Sequence, residues 1–474
     1  MMGLLAVGGC GGGGDATAPP ASTAPAGART TTAAARPQPR LRPGACPERL
    51  PGYRCATITV PLHRRGPHAG DGRTLTLDVA VQRAPARPPR GDLLILSGGP
   101  GQPGLPFGPR MAQRLRRPAA GHRIVVVDQR GTGRRAIRCP SLQASVGTSD
   151  VAVPLRSAVS ACARSLGPRR DAFATADTVA DLDAVRHALG DASWTVAGIS
   201  YGAFVAERYA LAHPGQTRAV VLDSVVPQEG VELLERVPLR AVARVLRTVC
   251  ADAGRPCTAA GGDPVGDLRR VVAAHPELGP ALFDALTERS IGVPRLGPIP
   301  DALHAAASGD LAPLRALLRG SAGEQSGVPV AFYSTGLHAA TLCADAPALW
   351  PGGPAAPAAV RSAAVARLRA TLPAAQTAPW PRSTALGQGL LATCRAWPVT
   401  AAPPTPPSGA RIRAPALLLA GDHDLSTPLE WARAQARRMA DARLVVVPGA
   451  GHSILSREQG STARDALRRF LAAQ

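Results

Sequence analysis

A serine between two glycines stands where a strand is predicted to pass into a helix. The Gly-Ile-Ser-Tyr-Gly segment at 198–202 follows the apolar run Thr195–Ala197 and opens a helical stretch. A turn of this kind exposes the serine hydroxyl, and glycines on both sides let strand and helix pass closely. We predict Ser200 as a nucleophile supported by Gly198 and Gly202. The alternative is a serine in an ordinary strand–helix loop.

A serine hydroxyl becomes an effective nucleophile when a histidine removes its proton. His452 ends a Pro-Gly-Ala-Gly-His segment that follows the apolar run Leu444–Val447. Because the carboxyl ends of parallel strands open at one edge of a sheet, this loop is expected beside Ser200. We predict His452 as the base, with His423 as its competitor.

The base in turn needs an acid that fixes its tautomer. The Gly-Asp-His-Asp segment at 421–424 follows the apolar run Ala416–Ala420, so two aspartates reach the same edge of the sheet. The spacing alone leaves Asp422 and Asp424 open as the acid.

Acyl transfer also needs hydrogen-bond donors for the oxyanion. The Ser-Gly-Gly-Pro-Gly loop at 97–101 follows the apolar run Leu93–Leu96, and its glycines allow close approach of backbone amides. We predict the amides of Gly99 and Tyr201 as the two donors, with Gly98 supporting the loop. Phosphate binding is the alternative, but the loop lacks G-x-G-x-x-G and the lysine of a P-loop.

A second polar segment, Asp-Gln-Arg-Gly-Thr-Gly at 128–133, follows the apolar run Ile124–Val127. An aspartate and an arginine there are able to form an ion pair beneath the site. We predict that Asp128 and Arg130 pair in this way and hold the oxyanion loop rigid, which is a supporting role rather than direct catalysis.

The elements that carry these loops alternate between strand and helix. Short apolar runs are typical of parallel strands buried on both faces, and the helices show one apolar face. The predicted strands are Ala56–Val60, Thr74–Val81, Leu93–Leu96, Ile124–Val127, Thr195–Ala197, Ala219–Leu222, Ala416–Ala420 and Leu444–Val447, and the predicted helices include Asp177–Leu189 and Ala463–Leu471. The alternation indicates an α/β fold with a mostly parallel sheet flanked by helices.

The order of the elements divides the chain into a core and an insertion. Residues 45–227 and 411–474 contain the strands and are predicted as the catalytic core. Residues 228–410 lack strand signals and are predicted as a largely helical cap, inserted before the acid-bearing strand. Residues 10–44 are Gly, Ala, Thr and Pro with few large apolar side chains, so we expect a disordered tether.

Residues 1–9 are predicted as a shortened leader. Val-Gly-Gly-Cys at 7–10 resembles the lipobox of bacterial lipoproteins, in which the cysteine is acylated, although the apolar run is short and no Arg or Lys precedes it. We expect lipidation at Cys10 and an exported protein of the envelope or extracellular space, attached peripherally to the membrane. A clipped ordinary signal peptide is the alternative.

Eight further cysteines lack the spacing of a zinc site, and no metal or cofactor is expected. An even number of this kind indicates disulfides in an oxidising compartment, and buried free thiols are the alternative. Sequence proximity favours the pairs Cys46–Cys55, Cys139–Cys162, Cys250–Cys257 and Cys343–Cys394, although sequence alone does not fix the connectivity.

The formal charge of +21 would suit an acidic partner. All 54 basic side chains are arginine, and they are scattered without the interleaved aromatic residues that stacking on bases requires. We therefore expect no nucleic-acid partner.

The motifs together carry a family resemblance. The series comprises Gly-Gly-Pro-Gly at 98–101, Asp-Gln-Arg-Gly-Thr-Gly at 128–133, Gly-Ile-Ser-Tyr-Gly at 198–202, Gly-Asp-His-Asp-Leu-Ser-Thr-Pro at 421–428 and Gly-Ala-Gly-His at 449–452. It resembles the secreted actinobacterial tripeptidyl aminopeptidases, which are relatives of the proline iminopeptidases among the α/β hydrolases. Cys-Ala-Asp at 343–345 and Cys-Arg-Ala-Trp-Pro at 394–398 are similar to features of the family's cap.

The resemblance implies a serine peptidase that hydrolyses an amide near the free N-terminus of a peptide. In the family's Asp-x-x-Thr-Pro pattern the catalytic acid aligns with Asp424, which decides between the two aspartates. Ser97 departs from the histidine that iminopeptidases usually carry at this position, and this bears on the detail of the substrate rather than on hydrolysis.

An aminopeptidase must also bind an ammonium group, which calls for a carboxylate in the cap. We predict Glu229, Glu232 or Asp345 for this role. A carboxylesterase or lipase on the same triad is the alternative, because the fold does not specify the acyl group. A third hypothesis is an inactive binding protein of the envelope, and the oligomeric state is left open.

Overall fold

A computed structural model describes residues 39–83, 89–252, 262–407 and 409–474. The predicted leader, Cys10 and almost all of the predicted tether lie outside these ranges, as does Cys257 of the fourth predicted disulfide.

Within the described ranges nine strands form one sheet. They are β1 (Arg42–Gly44), β2 (Tyr53–Pro61), β3 (Thr74–Gln82), β4 (Asp92–Leu96), β5 (Arg123–Val127), β6 (Trp194–Ile199), β7 (Thr217–Asp223), β8 (Ala416–Gly421) and β9 (Ala442–Val447). Their order is β1-β2-β3-β5-β4-β6-β7-β8-β9. Every pair from β5 to β9 along this order is parallel, whereas β1, β2 and β3 pair antiparallel. The predicted α/β fold with a mostly parallel sheet is confirmed.

All the predicted strands lie inside observed ones, and the structure adds a strand that the sequence did not predict. β1 lies at 42–44, inside the predicted tether, and pairs with Cys55, Ala56 and Thr57 of β2. Its Arg-Pro-Gly sequence has no β propensity of its own, so pairing with the longer β2 supplies its hydrogen bonds.

Helices cover both faces of the sheet and form the long insertion. They are α1 (Gly108–Leu115), α2 (Pro140–Val146), α3 (Arg156–Leu166), α4 (Thr175–Leu189), α5 (Tyr201–Ala212), α6 (Arg236–Asp252), α7 (Pro264–Ala274), α8 (Gly279–Arg289), α9 (Ile299–Ala307), α10 (Ala312–Gln325), α11 (Thr335–Asp345), α12 (Ala358–Thr371), α13 (Arg382–Leu386), α14 (Gly389–Ala396), α15 (Leu429–Ala436), α16 (Ile454–Arg457) and α17 (Thr462–Ala472).

The sheet is buried on both faces, as its apolar strands predict. On one face Leu94 and Val196 pack in a cluster with Phe204 of α5 and Val185 of α4. On the other face a second cluster joins strand residues to α1, α16 and α17. Parallel pairing places the carboxyl ends of β4, β6, β8 and β9 at one edge, which is the edge that carries the predicted site loops.

In the described part of the insertion between β7 and β8 the regular elements are all helices, apart from a β-bridge at Ile291, and they share an apolar core. This core contains Leu246, Phe283 and Trp380 of the insertion, and also Ile137 and Val159 from the segment that precedes α4. Helices α2 and α3 therefore pack with the cap, although the sequence assigned residues 45–227 to the catalytic core.

Three of the predicted disulfides are present. Cys46–Cys55 ties the chain before β2 to that strand, Cys139–Cys162 joins the start of α2 to α3, and Cys343–Cys394 joins α11 to α14 inside the cap. No helix in the described part of the chain combines the length and apolar character that a membrane span requires.

Candidate active site

The serine predicted as nucleophile occupies a strained turn between β6 and α5. Ser200 has φ 59° and ψ −125°, a backbone conformation that L-residues rarely adopt. A Cβ on Gly198 would collide with the carbonyl of Gly202, and a Cβ on Gly202 would collide with that of Leu96. Both predicted glycines are therefore required for the strand and the helix to cross at this distance.

The predicted base and acid are in contact. His452 follows β9, and its Nδ1 lies 2.9 Å from Oδ2 of Asp424, which is fully buried. Thr427 donates its amide to Asp424 Oδ1 at 2.9 Å and its hydroxyl to Oδ2 at 2.6 Å. A carboxylate held in this way keeps the imidazole proton on Nδ1 and leaves Nε2 available as a base.

The electrostatics of His452 follow from this contact. Burial disfavours the protonated imidazole, but the Asp424 carboxylate and, further away, the Asp223 carboxylate outweigh burial, so the pKa of His452 is raised.

The competing residues of the acid loop do not occupy the position of the acid. Asp422 is turned toward the backbone of the base loop, where its Oδ1 accepts the amide of Gly449 at 2.8 Å. The amide of His423 donates to the Ala450 carbonyl at 3.0 Å. The structure thus brings Asp424, and not Asp422, to the imidazole.

The cap holds the base loop directly. Ile291 forms a parallel β-bridge with His452, whose amide donates to the Ser290 carbonyl at 2.9 Å, and Gly292 donates back to the His452 carbonyl at 3.1 Å. The Ser290 hydroxyl also accepts the amide of Leu425 at 3.1 Å, in the acid loop. A three-residue segment of the cap therefore fixes the spacing of base and acid.

The predicted oxyanion loop lies against the nucleophile. A Cβ on Gly98 would lie 2.9 Å from Cβ of Ser200 and 3.3 Å from its Oγ, so only glycine fits there. Gly99, the next residue of the loop, has a positive φ, and Tyr201 is the first residue of α5. Of the two predicted amide donors, Tyr201 is thus next to Ser200 in the chain, and Gly99 follows the glycine that lies against Ser200.

The predicted Asp128–Arg130 ion pair is wrong. Asp128 accepts the amide of Leu105 at 2.8 Å, and its burial raises its pKa to about 7. Arg130 instead pairs through two nitrogens with Asp181 of α4, both at 2.7 Å. Asp128 still supports the oxyanion loop indirectly, by binding the amide of Leu105 just after it, whereas Arg130 connects the segment at 128–133 to α4.

A cavity of about 640 Å3 opens above Ser200 and His452. Gly98 and Gly99 of the oxyanion loop line it, and so does the cap residue Tyr333. Four carboxylates that the sequence analysis did not identify also line it: Asp150, Asp284, Glu288 and Glu324. Burial raises the pKa of Asp284 to about 6.

The three carboxylates predicted for ammonium binding do not line this cavity. Glu229 forms a salt bridge with Arg438, and Glu232 pairs with Arg236 one helical turn later. Asp345 accepts two hydrogen bonds from Thr175, from the amide at 2.8 Å and from the hydroxyl at 2.6 Å. Each is engaged in a contact within the protein, and the carboxylates that line the cavity are different ones.

A second histidine–aspartate pair lies beside the oxyanion loop and was not predicted. His338 of α11 is buried, and its Nε2 lies 2.5 Å from Oδ1 of Asp150. Its Nδ1 lies 2.7 Å from the Tyr333 hydroxyl and 3.0 Å from the carbonyl of Pro100. Burial opposes protonation, but Asp150 outweighs burial and raises the pKa of His338.

Asp223 at the end of β7 is a further residue that sequence reasoning missed. Its backbone carbonyl accepts the amide of Ser200 at 2.9 Å, and its carboxylate accepts the amides of Ile454 and Leu455 at 3.0 and 2.8 Å. It joins the nucleophile turn to the chain just after His452. Its place at the carboxyl end of a buried strand was the available signal.

Comparison with known families extends these observations. The profile of the TAP-like protein family matches residues 382–473, which include the acid and base loops. The tripeptidyl aminopeptidase of Streptomyces lividans is 29% identical over 189 residues, which are 36% of this chain and 35% of that protein. The serine protease Hip1 of Mycobacterium tuberculosis is 32% identical over 195 residues, which are 37% of this chain and 36% of that protein. The chain thus spans about a third of the length of these relatives, and its resemblance to them is confirmed.

Solved structures with similar folds include a proline iminopeptidase-related protein from Thermus thermophilus. It is 18% identical, with a TM-score of 0.40, and the match covers 92% of this chain and 98% of that one. An epoxide hydrolase from an endophytic Streptomyces is 19% identical, with a TM-score of 0.36, over 84% of this chain and 92% of that one.

Proposed function

We propose that this chain, a serine hydrolase with the α/β-hydrolase fold, is an exported peptidase that cleaves amide bonds near the free N-terminus of peptides. Ser200 is the nucleophile, His452 the base and Asp424 the acid. The tripeptidyl aminopeptidases and the serine protease among its relatives support the assignment to peptidases.

The observation that carries the proposal is the charge of the cavity wall. Asp150, Asp284, Glu288 and Glu324 line the same cavity as Ser200, together with Arg295 and Arg457. Arg295 pairs with Glu288 Oε1 at 2.6 Å and with Glu324 at 2.7 Å. Burial and the neighbouring Glu324 carboxyl raise the pKa of Glu288, and Arg295 opposes that shift. The four carboxyl groups of the wall outnumber its two arginines, and a wall of this kind attracts a peptide ammonium more strongly than a neutral acyl chain.

The reaction follows from the contacts of the three residues. His452 Nε2 takes the proton of the Ser200 hydroxyl as Oγ attacks the substrate carbonyl, and Asp424 stabilises the imidazolium that forms. The amides of Gly99 and Tyr201 receive the oxyanion. The imidazolium then protonates the leaving amine, and water, activated by His452, hydrolyses the acyl-enzyme.

Purified full-length protein tests this assignment with three substrates: alanyl-alanyl-proline nitroanilide, the same anilide with an acetylated N-terminus, and a short-chain nitrophenyl ester. We expect kcat/KM for the free peptide to exceed that for the acetylated one at least about tenfold, because acetylation removes the ammonium. Turnover of the ester without release from any unblocked peptide would assign the site to an esterase instead.

Two variants complete the test. A fluorophosphonate probe should label the wild type and leave Ser200→Ala unlabelled, while an inactive binding protein would show no labelling at all. Glu288→Gln should raise KM for the free peptide without affecting the acetylated one. Glu277→Gln is its matched control, because Glu277 is a solvent-exposed acid of the cap that does not line the cavity.

Export and anchoring form the second part of the proposal. The three described disulfides fit an oxidising compartment. Mass spectrometry of the mature N-terminus of cell-derived protein tests the anchor: a diacylglyceryl mass on Cys10 supports it, and an unmodified N-terminus beyond Cys10 contradicts it.

A further inference from the structure

A second cavity lies apart from the active site, between helices α4 and α5 and the wall formed by residues 402–407 and Ala410. Its volume is about 490 Å3, which is within the range of small-molecule sites. None of its lining residues also lines the cavity above Ser200. The apolar part of the wall comprises Val179, Leu211, Ala346, Pro347, Pro403 and Pro404.

Arg208 of α5 places a positive charge in this apolar wall. Its guanidinium carbon lies 4.7 Å from the centroid of the Phe204 ring, so the ring covers one face of the group. Its Nε is buried without a hydrogen-bond partner, and Arg208 forms no salt bridge with a described carboxylate. The donors on the edge of the guanidinium thus lack an acceptor within the described part of the chain.

The other ionisable groups of the wall are already engaged. Asp345 accepts two hydrogen bonds from Thr175, and Glu229 is paired with Arg438. Neither carboxylate forms a salt bridge with Arg208 among the described residues, although the charge of Asp345 opposes the lowering of the Arg208 pKa by burial.

Two further ionisable groups lie near Arg208. Glu207 precedes Arg208 in the chain and is fully buried, and burial raises the pKa of its carboxyl well above the usual range. Burial also lowers the pKa of His213, which lines the cavity. Neither group forms a salt bridge with the guanidinium within the described part of the chain.

We propose that this cavity binds a small molecule with an apolar body that ends in a carboxylate. A guanidinium presents parallel N–H donors that match the two oxygens of a carboxylate, and a partly buried site strengthens that pairing. The apolar body would lie against Val179, Leu211 and the prolines of the wall. Fatty acids and apolar peptides with a free C-terminus share this chemistry. The inference is independent of the reaction at Ser200.

Calorimetric titration of the full-length protein tests the proposal with decanoate and with N-acetyl-leucyl-leucine. Their neutral counterparts are decanol and the amide of the same dipeptide. We expect saturable binding of at least one carboxylate, with its neutral counterpart about tenfold weaker or more. Tighter binding of decanoate would identify acyl chains as the ligand class, and tighter binding of the dipeptide would identify peptide C-termini.

Arg208→Gln should weaken binding of the carboxylate about tenfold or more and leave the neutral counterpart unchanged. The matched control is Arg437→Gln, which removes the same charge from a solvent-exposed position outside the cavity and should bind as the wild type does. Ala180→Phe fills the cavity from the half-buried face of α4 while keeping Arg208, and it should abolish binding. If Arg208→Gln fails to fold, Ala180→Phe tests whether the ligand binds in this cavity.

Binding that is unchanged in both cavity variants, or no saturable binding of either carboxylate, would overturn the proposal. Binding that disappears when Ser200 carries a fluorophosphonate adduct would also overturn it, by placing the ligand in the active site. If Ser200 does not react with the probe, the proposed hydrolase function fails, but the comparison of Arg208→Gln with Arg437→Gln still tests the cavity.

Discussion

Two buried histidines are each paired with an aspartate near the candidate substrate cavity, which His452 and Asp150 line. His452 contacts Asp424 through Nδ1, and its Nε2 makes no hydrogen bond within the described residues. His338 contacts Asp150 through Nε2, and its Nδ1 is shared between the Tyr333 hydroxyl and the carbonyl of Pro100. The neighbouring aspartate raises the pKa of both histidines.

The difference between the pairs lies in the second nitrogen. A histidine transfers a proton to or from substrate only if one ring nitrogen remains available, and His452 has such a nitrogen. His338 uses both nitrogens to connect the cap to the oxyanion loop. In the proposed mechanism the first pair serves proton transfer, whereas the second connects segments of the protein, and the number of occupied ring nitrogens distinguishes the two.

The largest expected effect comes from exchanging each histidine for phenylalanine, which keeps a planar ring and removes the nitrogens. His452→Phe should lower kcat by about 10^6-fold, as loss of a triad base does. His338→Phe should lower it less than about a hundredfold, since the triad remains. Steady-state assays on the unblocked anilide measure both. Comparable losses in the two variants would show that the comparison is wrong.

The aspartates of the acid loop offer the next test. Asp424→Asn should lower kcat by about 10^4-fold, because the amide favours the wrong imidazole tautomer. Asp422→Asn is the matched control two residues away, and it should retain most of the activity, since the Asp422 carboxylate accepts the amide of Gly449 and an asparagine oxygen is able to do the same. If the Asp422 variant is the inactive one, the acid has been assigned to the wrong residue.

The role of His338 should appear more clearly in the stability of the protein than in kcat. His338→Phe leaves Asp150 and the Pro100 carbonyl without partners, which should lower the free energy of unfolding by about 1–3 kcal/mol. Thermal unfolding of the wild type and the variant measures the loss. A variant as stable as the wild type would exclude a connecting role for His338.

This loss should depend on pH. Because the folded-state pKa of His338 is raised, its protonation contributes fully below about pH 6.5, the value of an unfolded histidine, and the contribution is lost as pH rises through the folded-state pKa. The difference in melting temperature between wild type and His338→Phe should therefore be larger at about pH 6 than at about pH 9. A difference that grows toward alkaline pH would reverse the assigned sign.

The smallest effect concerns Asp150, which is partly exposed to the cavity whereas Asp424 is buried. Asp150→Asn keeps an acceptor for His338 but removes a charge, so KM for the free peptide should rise by about threefold to tenfold. The acetylated peptide should be unaffected. Asp301→Asn, a change at an exposed acid of the cap, should leave both KM values at the wild-type level.

The positions of Ser200, His452 and Asp424 were predictable because each follows an apolar parallel strand, fully buried in β6 and β8 and partly buried in the edge strand β9. Such strands have a strong apolar signal, and their carboxyl ends share one edge, so chain order brings these residues together without knowledge of the packing. Choosing Asp424 over Asp422 required the family pattern. In the structure the difference is which side chain faces the imidazole, and spacing along a loop does not specify this.

The contacts that prediction missed join residues that are far apart in sequence. Arg130 reaches Asp181 on another helix instead of Asp128 two residues away. Glu229 finds its partner Arg438 across the cap boundary. Glu288 belongs to a helix of the cap whose placement over Ser200 depends on packing. The partners of long side chains depend on how the chain packs, and the periodicity of the sequence does not indicate them.

The β-bridge between Ile291 and His452 bears on how this protein is able to change. In an enzyme whose cap makes no contact with the catalytic loops, substrate preference is able to change when one cap replaces another. Here the insertion supplies Ser290–Gly292 as a pairing partner for the base loop, so a transplanted cap would have to reproduce this three-residue segment in register. Substrate preference and catalytic competence are thus linked traits of one chain, and an exchange that ignores the segment would alter both at once.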